Sequence, residues 1–111
     1  MSAARAASTT RCTCPTVEVC VRGELDVATV PRMRERLQDA LTLRPTHLYV
    51  DLTECGFLDA CGILLLLDVH RQAWCQGATF VLRGCSPRHR RLLALMGLEN
   101  VFDIGDVSPC P

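Results

Sequence analysis

The sequence predicts an α/β fold: a single domain in which helices pack on a largely parallel sheet. Three observations carry this. Segments with apolar period two alternate with segments of helical period, in the order strand, helix, strand, helix, strand, helix, strand. The length of 111 residues suits one domain. Apolar residues make up 49% of the chain, enough for a core that needs no crosslinks or metals.

Residues 1–14 are small and polar and are expected to form a disordered N-terminal tail. The domain is expected over residues 15–104. Val17, Val19 and Val21 alternate with Glu18, Cys20 and Arg22, which describes a strand with one buried face. Gly23, Glu24, Leu25 and Asp26 then break the pattern. A helix follows, because Val30, Met33, Leu37 and Leu41 fall at helical spacing. Thr29 is placed to cap it, Pro31 is tolerated in a first turn, and Pro45 closes the segment.

Residues 46–52 read as a second strand, with Leu48, Val50 and Leu52 on one face. Residues 59–74 read as a second helix, stopped by Gln76 and Gly77. Residues 79–83 form a third strand. Ser86 followed by Pro87 starts a third helix, which runs to Met96 and ends at Gly97. Residues 101–104 supply a last short strand, and residues 105–111, with their prolines, are expected to be a loose tail.

Charge and composition exclude several function classes. Twelve basic residues, all of them Arg, balance twelve acidic ones. A net charge of zero argues against a direct nucleic-acid binder. Residues 1–10 lack the apolar segment of a secretory signal, and the run from Gly62 to Leu67 is far too short to span a bilayer. The expectation is therefore a cytoplasmic protein with no membrane contact, whose eight cysteines are reduced. Cys20, Cys55 and Cys85 sit where small apolar residues would fit, and read as core fillers. Cys12 and Cys14 have no matching second pair, so no metal and no cofactor is expected.

The candidate site is Asp59, Ala60, Cys61 and Gly62. Asp59 precedes a helix, where its carboxylate can accept from free backbone N–H groups. Cys61 falls in the first turn, near the positive end of the helix dipole. Gly62 permits close approach of another chain or ligand. The position follows the end of a strand, where α/β sheets usually carry function.

Three blocks, "GELDVATVPRMRERL", "LYVDLTECGFLDACGILLLL" and "GATFVLRGCSPRHRRLLALMGLENVFDI", resemble the STAS domain of bacterial anti-sigma factor antagonists. The resemblance covers Val17 to about Ile104. It implies a mixed, mostly parallel sheet of about four to five strands packed with helices. It also implies a protein that binds an anti-sigma factor, usually a GHKL-type serine kinase, and so frees a sigma factor for transcription. In such proteins the kinase phosphorylates a Ser or Thr at the start of the second helix and a phosphatase reverses this. Here Cys61 holds that phosphoacceptor position and Ala60 replaces the serine usually before it. The resemblance assigns Asp26, Asp59, Ala60, Cys61 and Gly62 to the partner surface. It implies no catalytic residues, and the family's C-terminal helix is expected to be short or absent. The rival reading is a redox-sensing STAS regulator that uses the Cys61 thiol.

Overall fold

The computed structural model describes residues 8–13 and 16–105. In chain order the elements are β1 (Ser8–Thr13), β2 (Thr16–Val21), β3 (Gly23–Leu25), α1 (Val30–Thr42), β4 (His47–Asp51), β5 (Cys55–Leu58), α2 (Ala60–Cys75), β6 (Thr79–Arg83), α3 (Pro87–Leu95) and β7 (Asp103–Gly105).

The period-two strands set the core. Val17, Val19 and Val21 of β2, Leu48 and Val50 of β4, and Phe80 and Leu82 of β6 are all buried on one face. That face meets Met33, Leu37, Ala40 and Leu41 of α1, and Ile63, Leu65, Leu66 and Val69 of α2. The alternating residues Glu18, Tyr49 and Arg83 are half-buried. They hold one another: the Arg83 guanidinium stacks 3.8 Å above the Tyr49 ring and lies 3.6 Å from the Glu18 carboxylate.

The main sheet has the order β1-β2-β4-β6-β7. From β2 to β7 the neighbours are parallel, in the register Val17–Leu48, Leu48–Phe80 and Leu82–Ile104. A parallel pair needs a crossover, and α1, α2 and α3 lie in those connections. Between α1 and α2 the Arg34 guanidinium meets the Asp68 carboxylate at 2.8 Å. A second, two-stranded parallel sheet joins β3 to β5.

Four sequence expectations need correction. Ser8–Thr13, expected within a disordered tail, is a strand antiparallel to β2, with Ser8 opposite Val21 and Thr13 opposite Thr16. Gly23–Leu25, read as a break, is β3, and its partner β5 has no counterpart among the expected elements. Both are short, and each is held by the other from a distant part of the chain. Thr29 stands at the α1 N-cap without a side-chain cap bond. Its hydroxyl instead accepts from the Asp26 N–H at 3.0 Å and donates to the Glu24 carbonyl at 3.1 Å. Finally, the last strand starts at Asp103, two residues later than expected. The expected C-terminal tail beyond Gly105 lies outside the described residues.

The other helix signals act as the sequence implied. Asp59 caps α2, and Ser86 with Pro87 starts α3. Gly77 and Gly97 take positive φ just past the ends of α2 and α3, a conformation glycine adopts without strain. Among the described residues no helix is long and apolar enough to cross a membrane.

Candidate functional site

The small β3–β5 sheet places two helix starts side by side. β3 runs into the turn before α1, and β5 runs into the cap of α2. Leu25 pairs with Leu58 at the ends of the two strands, and the Asp59 N–H donates to the Leu25 carbonyl at 3.3 Å. The turn that leaves β3 is therefore held beside the helix cap that leaves β5.

Asp59 ties the two parts together. One carboxylate oxygen accepts from the Gly62 N–H at 3.0 Å, closing the α2 cap. The other accepts from the Val27 N–H at 3.3 Å, in the turn that leads to α1. Asp26 organises that turn from within. Its carboxylate accepts from the N–H groups of Ala28 at 3.0 Å and Thr29 at 3.1 Å. Both carboxylates thus face backbone donors of their own surface.

Gly62 explains how closely the parts meet. A Cβ there would lie 2.5 Å from the Leu25 carbonyl oxygen and 2.8 Å from the Leu25 side chain. The close approach expected at Gly62 comes from the same chain, and Gly62 is buried. Ala60 and Cys61 are exposed, while Asp26 and Asp59 are half-exposed. The structure thus gathers Asp26, Asp59, Ala60, Cys61 and Gly62 into one locality.

Three of the elements that meet here carry exposed apolar side chains. Val27 is 67% exposed, Phe57 50% and Leu64 54%, values that core residues never show. Leu64 lies one helical turn from Cys61 on the same side of α2. Phe57 borders a groove of about 250 Å³ that continues to Leu92 and Leu95 of α3. The sequence identified an apolar run in α2 without separating Leu64 from its buried neighbours. Val27 and Phe57 carried no signal, since their exposure results from β3 pairing with β5.

Five cysteines among the described residues are unpaired. Cys55 is buried and its thiol donates to the Phe57 carbonyl at 3.2 Å. Burial pushes the Cys55 thiol up, and pushes the Cys85 thiol up to about 11. Cys20 is half-buried and is raised first by burial and then by the Asp51 and Glu18 carboxylates. Of the three fillers Cys55 lies fully inside the core. Cys61 differs from them in facing outward.

The family model of the STAS domain matches residues 8–108. The chain belongs to the STAS-domain family. Among curated STAS relatives, the anti-sigma-B factor antagonist of Listeria monocytogenes is 29% identical over 92 residues, which cover 83% of this chain and 81% of that protein. The anti-sigma factor antagonist of Mycobacterium paratuberculosis has a similar structure, with a TM-score of 0.79 at 24% identity, covering 87% of this chain and 82% of that one. The Bacillus cell fate determinant SpoIIAA in its phosphorylated form gives a TM-score of 0.73 at 24% identity, with 92% of each chain covered. These solved structures share the STAS fold with this chain: a mostly parallel sheet, its helices and the small β3–β5 pair.

Proposed function

We propose that this STAS domain is an anti-sigma factor antagonist, which binds an anti-sigma factor and so frees a sigma factor to act in transcription. The match to a protein named anti-sigma-B factor antagonist carries the reading. Any stretch of 92 residues within 111 contains both Asp26 and Gly62, so the match spans both halves of the surface. The assembled surface supports it further: a hydrogen-bonded turn and a capped helix start, with exposed Val27, Phe57 and Leu64 on the elements that form them, suit docking to another protein.

In this reading the partner is a serine-protein kinase of the GHKL type, and Asp26, Asp59, Ala60 and Cys61 meet it. Gly62 contributes from beneath by letting Leu25 approach. Cys61 stands at the phosphoacceptor position and offers no hydroxyl. A thiol keeps the size of serine and adds no charge, so the surface stays in its unphosphorylated form. A phosphate there would bring about −2 charge and oppose docking. The domain acts by binding and not by catalysis, in the cytoplasm, without direct contact to nucleic acid or membrane.

The test is reconstitution of the three proteins. Anti-sigma factor saturated with its sigma factor should release it when this chain is added, and the chain should be recovered in complex with the anti-sigma factor. Failure to bind any anti-sigma factor kinase encoded beside it would overturn the reading. The exposure of Cys61 favours a second reading, a redox-sensing STAS regulator. Reversible loss of partner binding after mild peroxide, present in the natural chain and absent in Cys61→Ser, would establish that reading instead.

A further inference from the structure

The first turn of α3 faces solvent through Pro87, Arg88, Arg90 and Arg91, yet His89 among them is only 4% exposed. Its ring points inward and does two things. Nδ1 accepts from the Ser86 N–H at 3.3 Å, while the Ser86 hydroxyl oxygen accepts from the His89 N–H at 3.1 Å. This reciprocal pair is the capping box of α3. The backbone carbonyl of Cys55, on β5, lies near enough to the ring to raise its pKa.

These contacts specify one protonation state. A ring nitrogen that accepts from an N–H must carry its lone pair, so the proton resides on Nε2 and the ring is neutral. A carbonyl is a fitting partner for that remaining N–H. One neutral imidazole therefore closes the helix cap while buried beside the strand that leads to Asp59.

A proton taken from water onto Nδ1 reverses the first contact. The nitrogen becomes a donor and faces the Ser86 N–H, another donor. The cap bond is lost and two donors oppose each other. Burial, the largest influence on the ring, outweighs the Cys55 carbonyl, which favours the cation. Arg88 on the same helix disfavours a cation on the ring, and so does the positive end of the α3 dipole. Arg91 borders the same groove. Nearby stand the thiols of Cys55 on β5 and Cys85 in the turn before α3, both raised by burial and so neutral; the Glu24 carboxylate acts on Cys55 and the Arg90 guanidinium on Cys85.

We propose that His89 is a pH-operated latch: neutral, it holds the first turn of α3 on β5, and protonated at Nδ1 it releases that turn. Burial keeps its pKa below the ordinary 6.5. The unfolded chain therefore takes up this proton before the folded one as pH falls. The latch contributes fully above about 6.5 and is lost as pH drops through the folded-state value. Release loosens the α3 wall of the groove that Phe57 borders.

Amide hydrogen exchange on the full chain, corrected for intrinsic rates, tests this as pH falls from neutral through the midpoint of the His89 imidazole, read by NMR. Protection at Ser86, His89 and Arg90 should fall about fivefold relative to β4 and β6, the size of one lost helix cap. In His89→Gln the side-chain oxygen can still close the box but cannot titrate, so the acid response should vanish. An equal acid response in His89→Gln, or none in the natural chain, overturns the latch. Where His89→Gln does not fold, nitrogen NMR of the natural chain decides. Nδ1 must appear as the lone-pair nitrogen near neutral pH, and the loss of protection must share its midpoint with the imidazole. Nδ1 carrying the proton, or a separate midpoint, overturns it equally.

Discussion

A methyl group added at Gly62 would lie 2.5 Å from a backbone oxygen, which cannot swing aside as a side chain can. Gly62→Ala should therefore push α2 away from β3 and cost about 1–3 kcal/mol, seen as a lower urea midpoint. An unchanged midpoint would mean that the two helix starts are not locked together. The neighbouring position tests function more than folding. Cys61→Ser is nearly isosteric and exposed, so it should bind the partner about as well as the natural chain. It should also accept phosphate if the partner is an active kinase. Cys61→Asp places a charge at an exposed position one helical turn from exposed Leu64 and should weaken binding. A calorimetric titration giving Cys61→Asp the natural affinity would remove the start of α2 from the interface. Asp59 could be read as a cap from sequence, because an acid before an apolar helical run has one dominant local use. Its second bond, to Val27, could not be read, since that partner is 32 residues away.

The elements divide in the same way between local and distant causes. α2, β6 and the start of α3 were legible because cap, period and stop signals all lie within the segment. β3 and β5 were not, because Gly23–Leu25 and Cys55–Leu58 have little pattern of their own and exist through each other. Thr29 misled for a related reason: Asp26 reaches the free N–H groups of the turn first. The turn between β6 and α3 carries a titration of its own. The Cys85 thiol, at about 11 in the folded chain against 9.0 for an ordinary thiol, is held neutral by burial. As pH rises the unfolded chain loses this proton first. The contribution is thus complete below about pH 9 and lost as pH climbs through the folded value near 11. The urea midpoint should fall over that window, and Cys85→Ala should reduce the fall. A drop of equal size in Cys85→Ala would assign the alkaline loss to other groups.

On the scale of the whole molecule, β1 closes one side of the sheet. Its six residues pair with the whole length of β2. A chain beginning at Thr16 would leave β2 as an open edge, with a row of unpaired backbone groups. That truncation should be less stable and should self-associate, visible as a larger, concentration-dependent size in light scattering. A monomer of natural stability would show that β1 contributes nothing to the fold. Thr9, Thr10 and Thr13 favour strands, but no apolar alternation in this segment marked a buried face.

The pairing of β3 with β5 also bears on time. Leu25 and Leu58 meet across a loop of the chain that holds α1 and β4. Closing that loop costs entropy before any contact repays it, so such pairings form slowly. The surface around Cys61 therefore exists only once both strands are paired. A nascent or partly folded copy can carry a helical α2 and still offer nothing to dock. Competence to bind then reports on completed folding, and no short peptide cut from residues 53–75 can stand in for the protein.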